Sequence, residues 1–74
     1  MTAGQKEVLD VLRTYGPLPD HALVPLAQHV TRTRQSSSSI RSRRAELVRL
    51  GRVQETGTSV VMPSGRKAKS WEAV

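Results

Sequence analysis

The chain has 74 residues and a formal net charge of +6 at pH 7, with no cysteine, no phenylalanine, one tryptophan and one tyrosine. Such a length supports one small domain, near the lower limit for folding on a single hydrophobic core. The composition excludes disulfides and thiolate metal sites, and neither a signal peptide nor an apolar run long enough to span a bilayer is visible. A cytoplasmic protein with no membrane association is therefore expected. With so few aromatic residues, the core falls to Leu and Val, and Trp71 is expected to be its largest single contributor.

The charge is unevenly spread. Residues 1–31 carry two basic against three acidic side chains, a net of −1, whereas residues 32–74 carry ten basic against three acidic, a net of +7. An excess confined to one part of the chain is the footprint of a polyanion binder with a defined face. A basic surface without a specific partner has the same count, so the patterning must decide.

Thr2-Ala-Gly-Gln5 has the form of a capping box with Thr2 as N-cap. Val8, Leu9, Val11, Leu12 and Tyr15 follow as an apolar helical stripe. Gly16 suits the residue after a helix and Pro17 cannot continue one, so the first helix is predicted over 3–15. Pro17-Leu18-Pro19 reads as an extended connector, because residues before proline avoid the helical region. Asp20 stands at the next helix start, where its carboxylate suits the dipole. Leu23, Leu26, Ala27 and Val30 mark the buried side of this second helix, predicted over 20–29 with a kink at Pro25.

Thr31 to Gln35 is polar and unpatterned, hence a turn. The four serines that follow could form a flexible linker, but a helical stripe begins directly after them. They are read instead as an N-cap, Ser36, and a first turn of a third helix over 36–50. Ile40, Leu47 and Leu50 share one side of that helix with Val48 beside them, while Ser38, Arg41, Ser42, Ala45 and Arg49 point the other way. Arg43 and Arg44 flank the apolar side, where their stems can run over the core or one can pair with Glu46 or Glu7. Gly51 ends the helix.

Val53 to Thr56 and Thr58 to Met62 are rich in β-branched residues, with Gly57 between them as a bulge or bend. Pro63-Ser-Gly-Arg-Lys67 is a turn with a basic tip, and Lys69 to Ala73 is the return strand with Trp71 and Ala73 inward. The expected fold is α+β: three helices followed by a C-terminal two-stranded β-hairpin in one domain, residues 1–74.

The run Ser39-Ile-Arg-Ser-Arg-Arg-Ala-Glu-Leu-Val-Arg-Leu-Gly-Arg-Val53 resembles the recognition helix and wing start of winged helix-turn-helix regulators of the MarR type. It is closer still to small winged-helix domains of actinobacterial phages, which the later Thr-Gly, Pro-Ser-Gly-Arg and Trp also resemble. The likeness covers about residues 17–74. The chain departs from the MarR pattern in a longer turn before the third helix and in Arg43, where leucine is usual. The resemblance implies a three-helix winged helix-turn-helix with the hairpin as its wing. It further implies sequence-specific binding of double-stranded DNA by a small phage or mobile-element transcription regulator, as a monomer or a weak homodimer.

Physical chemistry points to the same residues. An α-helix fits the major groove, where each base pair shows a distinct donor and acceptor pattern. Ser36, Ser37 and Ser38 lie at the helix front, where short hydroxyl side chains and free N–H groups can meet phosphates or bases. Arg41 suits a bidentate contact to guanine, and Ser42 and Ala45 can lie against bases or a thymine methyl. Arg32, Arg34 and Arg49 suit phosphates, which position without specifying. Arg66, Lys67 and Lys69 on the wing can track the backbone or enter a narrow minor groove.

Catalytic, metal and cofactor motifs are not found. His21 and His29 have no Cys or carboxylate set to make a zinc site and are expected at the surface. Two other functions fit the same chain: an excisionase-like architectural DNA-binding protein, and a winged-helix docking module or inhibitor of a host protein, whose acidic surface would meet the basic face.

Overall fold

The computed structural model describes residues 1–31 and 34–74. In chain order the elements are α1 (Ala3–Tyr15), β1 (Leu18–Pro19), α2 (Asp20–Val30), α3 (Ser37–Arg49), β2 (Val53–Val61) and β3 (Lys67–Ala73). The fold is α+β. The sheet has three strands rather than the expected two, because the Pro17-Leu18-Pro19 connector pairs with the hairpin. Leu18 lies opposite Trp71 and Pro19 opposite Ser70, giving an antiparallel sheet of order β1-β3-β2. Extended backbone before proline is already in strand conformation, so a nearby edge can recruit it. No helix is long and apolar enough to cross a membrane among the described residues.

Each helix boundary has a local cause. Thr2 and Gln5 close a full capping box: Gln5 N–H donates to Thr2 Oγ1 at 3.2 Å and Thr2 N–H donates to Gln5 Oε1 at 3.0 Å. The second helix is a single element running through Pro25, which faces solvent and only removes one N–H from the ladder. Ser36 caps α3, accepting from Ser39 N–H at 3.1 Å. At the far end Arg52 N–H donates to Leu47 O at 2.9 Å and Gly51 N–H to Val48 O at 3.1 Å, a Schellman motif closed by Gly51 at φ 73°.

The core joins Val8, Leu9, Val11 and Leu12 of α1 to Leu23, Val24 and Ala27 of α2, Ile40 and Leu47 of α3, and Val53 of β2. Several expected core residues lie outside it. Tyr15, Val30 and Leu50 are exposed, Leu50 at 56 %. Tyr15 and Val30 are the last residues of their helices and Leu50 lies one past α3, so each extends beyond the layer that could cover it. Trp71 packs against the core from its edge instead of filling it. Ser70, expected outward by alternation with Trp71 and Ala73, is buried. It sits in the central strand, with Pro19 on one side and the hairpin's irregular stretch on the other.

That irregular stretch is centred on Gly57. Glu55 pairs with Trp71 and Ser59 with Lys69, so Thr56, Gly57 and Thr58 together oppose Ser70 alone. Gly57 has φ 82°, which a side chain would strain, and Thr58 N–H donates to Thr56 Oγ1 at 3.1 Å across the bulge.

Candidate nucleic-acid interface

The third helix is held by contacts that sort its arginines. Arg44 donates to Asp20 through Nε at 3.0 Å and Nη2 at 2.7 Å, a bidentate pair between α3 and the start of α2. Its guanidinium carbon also lies 4.1 Å from the centre of the Trp71 ring. One side chain thereby joins α2, α3 and the central strand. Arg43 donates from Nη2 to Glu46 Oε2 at 2.8 Å, while its Nε lies 2.8 Å from Glu46 Oε1 at an angle too bent for a second hydrogen bond. Gln5 Nε2 donates to the same Oε1 at 2.8 Å, so the residue that completes the α1 capping box also anchors α3. Hydrogen bonds from Gln5 and then Arg43 hold the Glu46 carboxyl below its ordinary range. Both arginines are thus paired with carboxylates inside the domain.

Gln35 positions the entry to α3. Its side-chain Nε2 reaches Gly4 O at 3.4 Å and Glu7 Oε2 at 3.3 Å, and its carbonyl accepts from Gln28 Nε2 at 3.3 Å. The approach is close: a Cβ on Gly4 would stand 3.0 Å from Gln35 Oε1, so the end of that side chain would have to shift by a few tenths of an ångström.

The outward face of α3 is polar and open. Ser37, Ser38, Arg41, Ser42 and Arg49 are exposed and Ala45 is partly so. Ser36 is exposed as well, but its hydroxyl is engaged as the cap and lies 3.3 Å from Ser38 Oγ. Arg41 makes no ion pair or hydrogen bond among the described residues, in contrast to Arg43 and Arg44. Arg34 is exposed beside Gln28 and Gln35 in a shallow depression at the helix entry. Arg32 lies outside the described residues. On the hairpin, Gly65 N–H donates to Met62 O at 2.8 Å and Met62 N–H to Arg66 O at 2.7 Å, forming the turn that carries the exposed Arg66. Lys67 opens β3 opposite Val61. Lys69 lies opposite Ser59, with Nζ 3.9 Å from Glu55 Oε2.

Between α3 and the hairpin lies a cleft of about 370 Å³, lined in part by Asp20, His21, Arg41, Arg44, Lys69 and Trp71. It brings together two sequence-predicted residues from different elements, Arg41 and Lys69. Arg34, Arg49, Arg66 and Lys67 do not line it. Sequence reasoning missed the other walls. His21, expected at the surface, is half-buried, and its Nδ1 is buried without a hydrogen-bond partner among the described residues. The pairing of Asp20 with Arg44 spans 24 residues, and no local pattern signals it. A second cleft, of about 330 Å³ between α1 and the end of α2, is lined by Glu7, Asp10 and Tyr15, with no Lys or Arg among its described residues. No protein-family model, curated protein or solved structure matches this chain.

Proposed function

We propose that this chain is a winged helix-turn-helix domain that binds double-stranded DNA, with the outward face of α3 in the major groove and the β2–β3 hairpin as the wing. The observation that carries the reading is the division of the α3 cations. Arg43 and Arg44 are paired with Glu46 and Asp20 and brace the helix, whereas Arg41 is exposed and, among the described residues, unpaired, with small polar neighbours. A helix fixed on its inner side and open, small and cationic on its outer side suits a polyanion groove. The short strand β1 is compatible with a wing, since it adds two residues at the base of the hairpin and leaves its basic tip free.

On this reading Ser37, Ser38, Ser42 and Ala45 approach the bases, while Arg34, Arg49, Arg66 and Lys67 meet phosphates. Arg32, outside the described residues, joins the same phosphate set on the sequence expectation alone. The resemblance to small phage winged-helix domains favours a transcription regulator as the biological role. The test is binding of labelled duplexes over a salt series. Phosphate contacts predict that log K falls linearly with log salt, by about 0.9 for each phosphate neutralised. Affinity that does not respond to salt would remove the DNA reading, and a host protein retained in its place would favour the docking role.

A further inference from the structure

We propose that the cleft between α3 and the hairpin is a phosphate subsite, in which Arg41 and Lys69 hold one phosphate group against a wall formed by Arg44 and Trp71. The inference rests on the DNA-binding reading for its most direct ligand, a backbone phosphodiester. The same chemistry would accept a free phosphate ester.

The charge of the cleft favours an anion. Three cations line it, Arg41, Arg44 and Lys69, against one carboxylate, Asp20, which leaves an excess of +2. The Asp20 carboxylate is already satisfied by the fork of Arg44. Arg44 in turn uses only Nε and Nη2 on that pair, so it keeps N–H donors for a phosphate oxygen while its position is locked, and the net charge for the anion comes from Arg41 and Lys69. Lys69 has only a long contact to Glu55, between side chains that are 67 % and 47 % exposed. Pairs of that kind contribute little, so the ammonium can turn to a phosphate.

Size and polarity agree with the charge. Small-molecule sites run from about 300 to 1,000 Å³, and this cleft lies at the lower end, enough for a phosphate with its sugar. The Nδ1 of His21, buried and without a hydrogen-bond partner among the described residues, belongs to a residue in the same wall. A phosphate held here would be gripped from the helix by Arg41 and from the wing by Lys69, which sets the spacing of the two elements along the backbone. Arg41 then positions rather than reads, and base discrimination falls to Ser38, Ser42, Ala45 and DNA shape.

Trp71 is the single tryptophan and lines the cleft, so its emission reports occupancy. The full chain is titrated with a short duplex, with inorganic phosphate and with a nucleoside monophosphate, beside Arg41→Ala, Lys69→Ala and the control Arg13→Ala on α1. All three side chains are exposed, and unchanged melting midpoints verify the fold. The expected result is a Trp71 emission change with duplex in the parent and Arg13→Ala. Arg41→Ala and Lys69→Ala should each weaken all duplexes alike and lower the salt slope by about one. Unchanged salt slopes in both variants, or an Arg41→Ala loss confined to certain sequences, overturn the subsite and leave DNA binding standing. A Trp71 response to phosphate or the monophosphate that Arg41→Ala abolishes, without duplex binding, overturns the DNA reading and keeps the subsite. A silent Trp71 with every probe overturns the subsite, and absence of labelled-duplex binding as well overturns the DNA reading.

Discussion

Arg44 shows how a basic residue becomes structural. Its two hydrogen bonds to Asp20 and its seat over Trp71 need a planar fork, which a lysine cannot supply. Arg44→Ala should therefore cost about 1.5–3 kcal/mol, the range for hydrogen bonds to charged groups, read as a thermal shift of about 4–8 °C per kcal/mol in a domain of this size. Arg44→Lys should recover little of it. Asp20→Ala should have a similar effect, and the double variant should lose less than the two singles summed, because they share one interaction. Additive losses would mean that the two side chains act separately.

Glu46 offers a residue-scale test with pH. Gln5 and Arg43 stabilise its charged form, so its folded pKa lies below the ordinary value of 4.5. A depressed carboxyl contributes stability that is fully present above the unfolded value and is lost as pH falls through the lower folded value. Melting midpoints of the parent should therefore fall more steeply than those of Glu46→Gln as pH drops below about 4.5. Parallel curves would show that this network adds nothing specific to the charged form.

Among the elements, α3 depends most on its two ends. Few of its residues are buried: Ile40 and Leu47 anchor it, and much of its surface is given to solvent. Its caps therefore matter more than in a helix held by a wide apolar stripe. Ser36→Ala removes the acceptor for Ser39 N–H and should cost about 1 kcal/mol. Gly51→Ala places a Cβ at φ 73° and should cost about 1–2 kcal/mol. Urea denaturation measures both, and a Gly51→Ala midpoint equal to that of the parent would show that the Schellman geometry is not required. The hairpin is the opposite case, with an irregular register around Gly57 that leaves its basic tip beyond the packed base.

At the scale of the molecule, the pattern is a division of charge by side. The cleft lined by Arg41, Arg44 and Lys69 lies between α3 and the hairpin, whereas Glu7 and Asp10 line the one between α1 and α2. A small core leaves such a domain marginally stable, so a ligand that binds only the folded state should raise its melting temperature. Duplex at 100 times its dissociation constant should add about 2.7 kcal/mol, and the gain should shrink as salt is raised. A shift independent of salt would argue against phosphate contact as its source.

The sequence alone was enough for the three helices, the caps of α1 and α3, the bulge at Gly57 and the exposed face of α3. These follow from short-range rules: a hydroxyl at a helix start, a glycine at its end, a spacing of apolar residues. It did not determine where a neighbouring layer stops. A helical wheel treats Tyr15, Val30 and Leu50 as if the helix and its cover continued, and the tertiary structure leaves them exposed because both end there. Only the tertiary structure recruited Leu18 and Pro19 into the sheet, set Trp71 beneath Arg44 and chose Asp20 as the arginine's partner. Those contacts join residues far apart in the chain. Their geometry depends on how the helices cross and where the sheet edge falls, which no local pattern encodes. The cleft that brings Arg41 to Lys69 is of the same kind, a product of packing between a helix and a hairpin whose sequences each look complete alone.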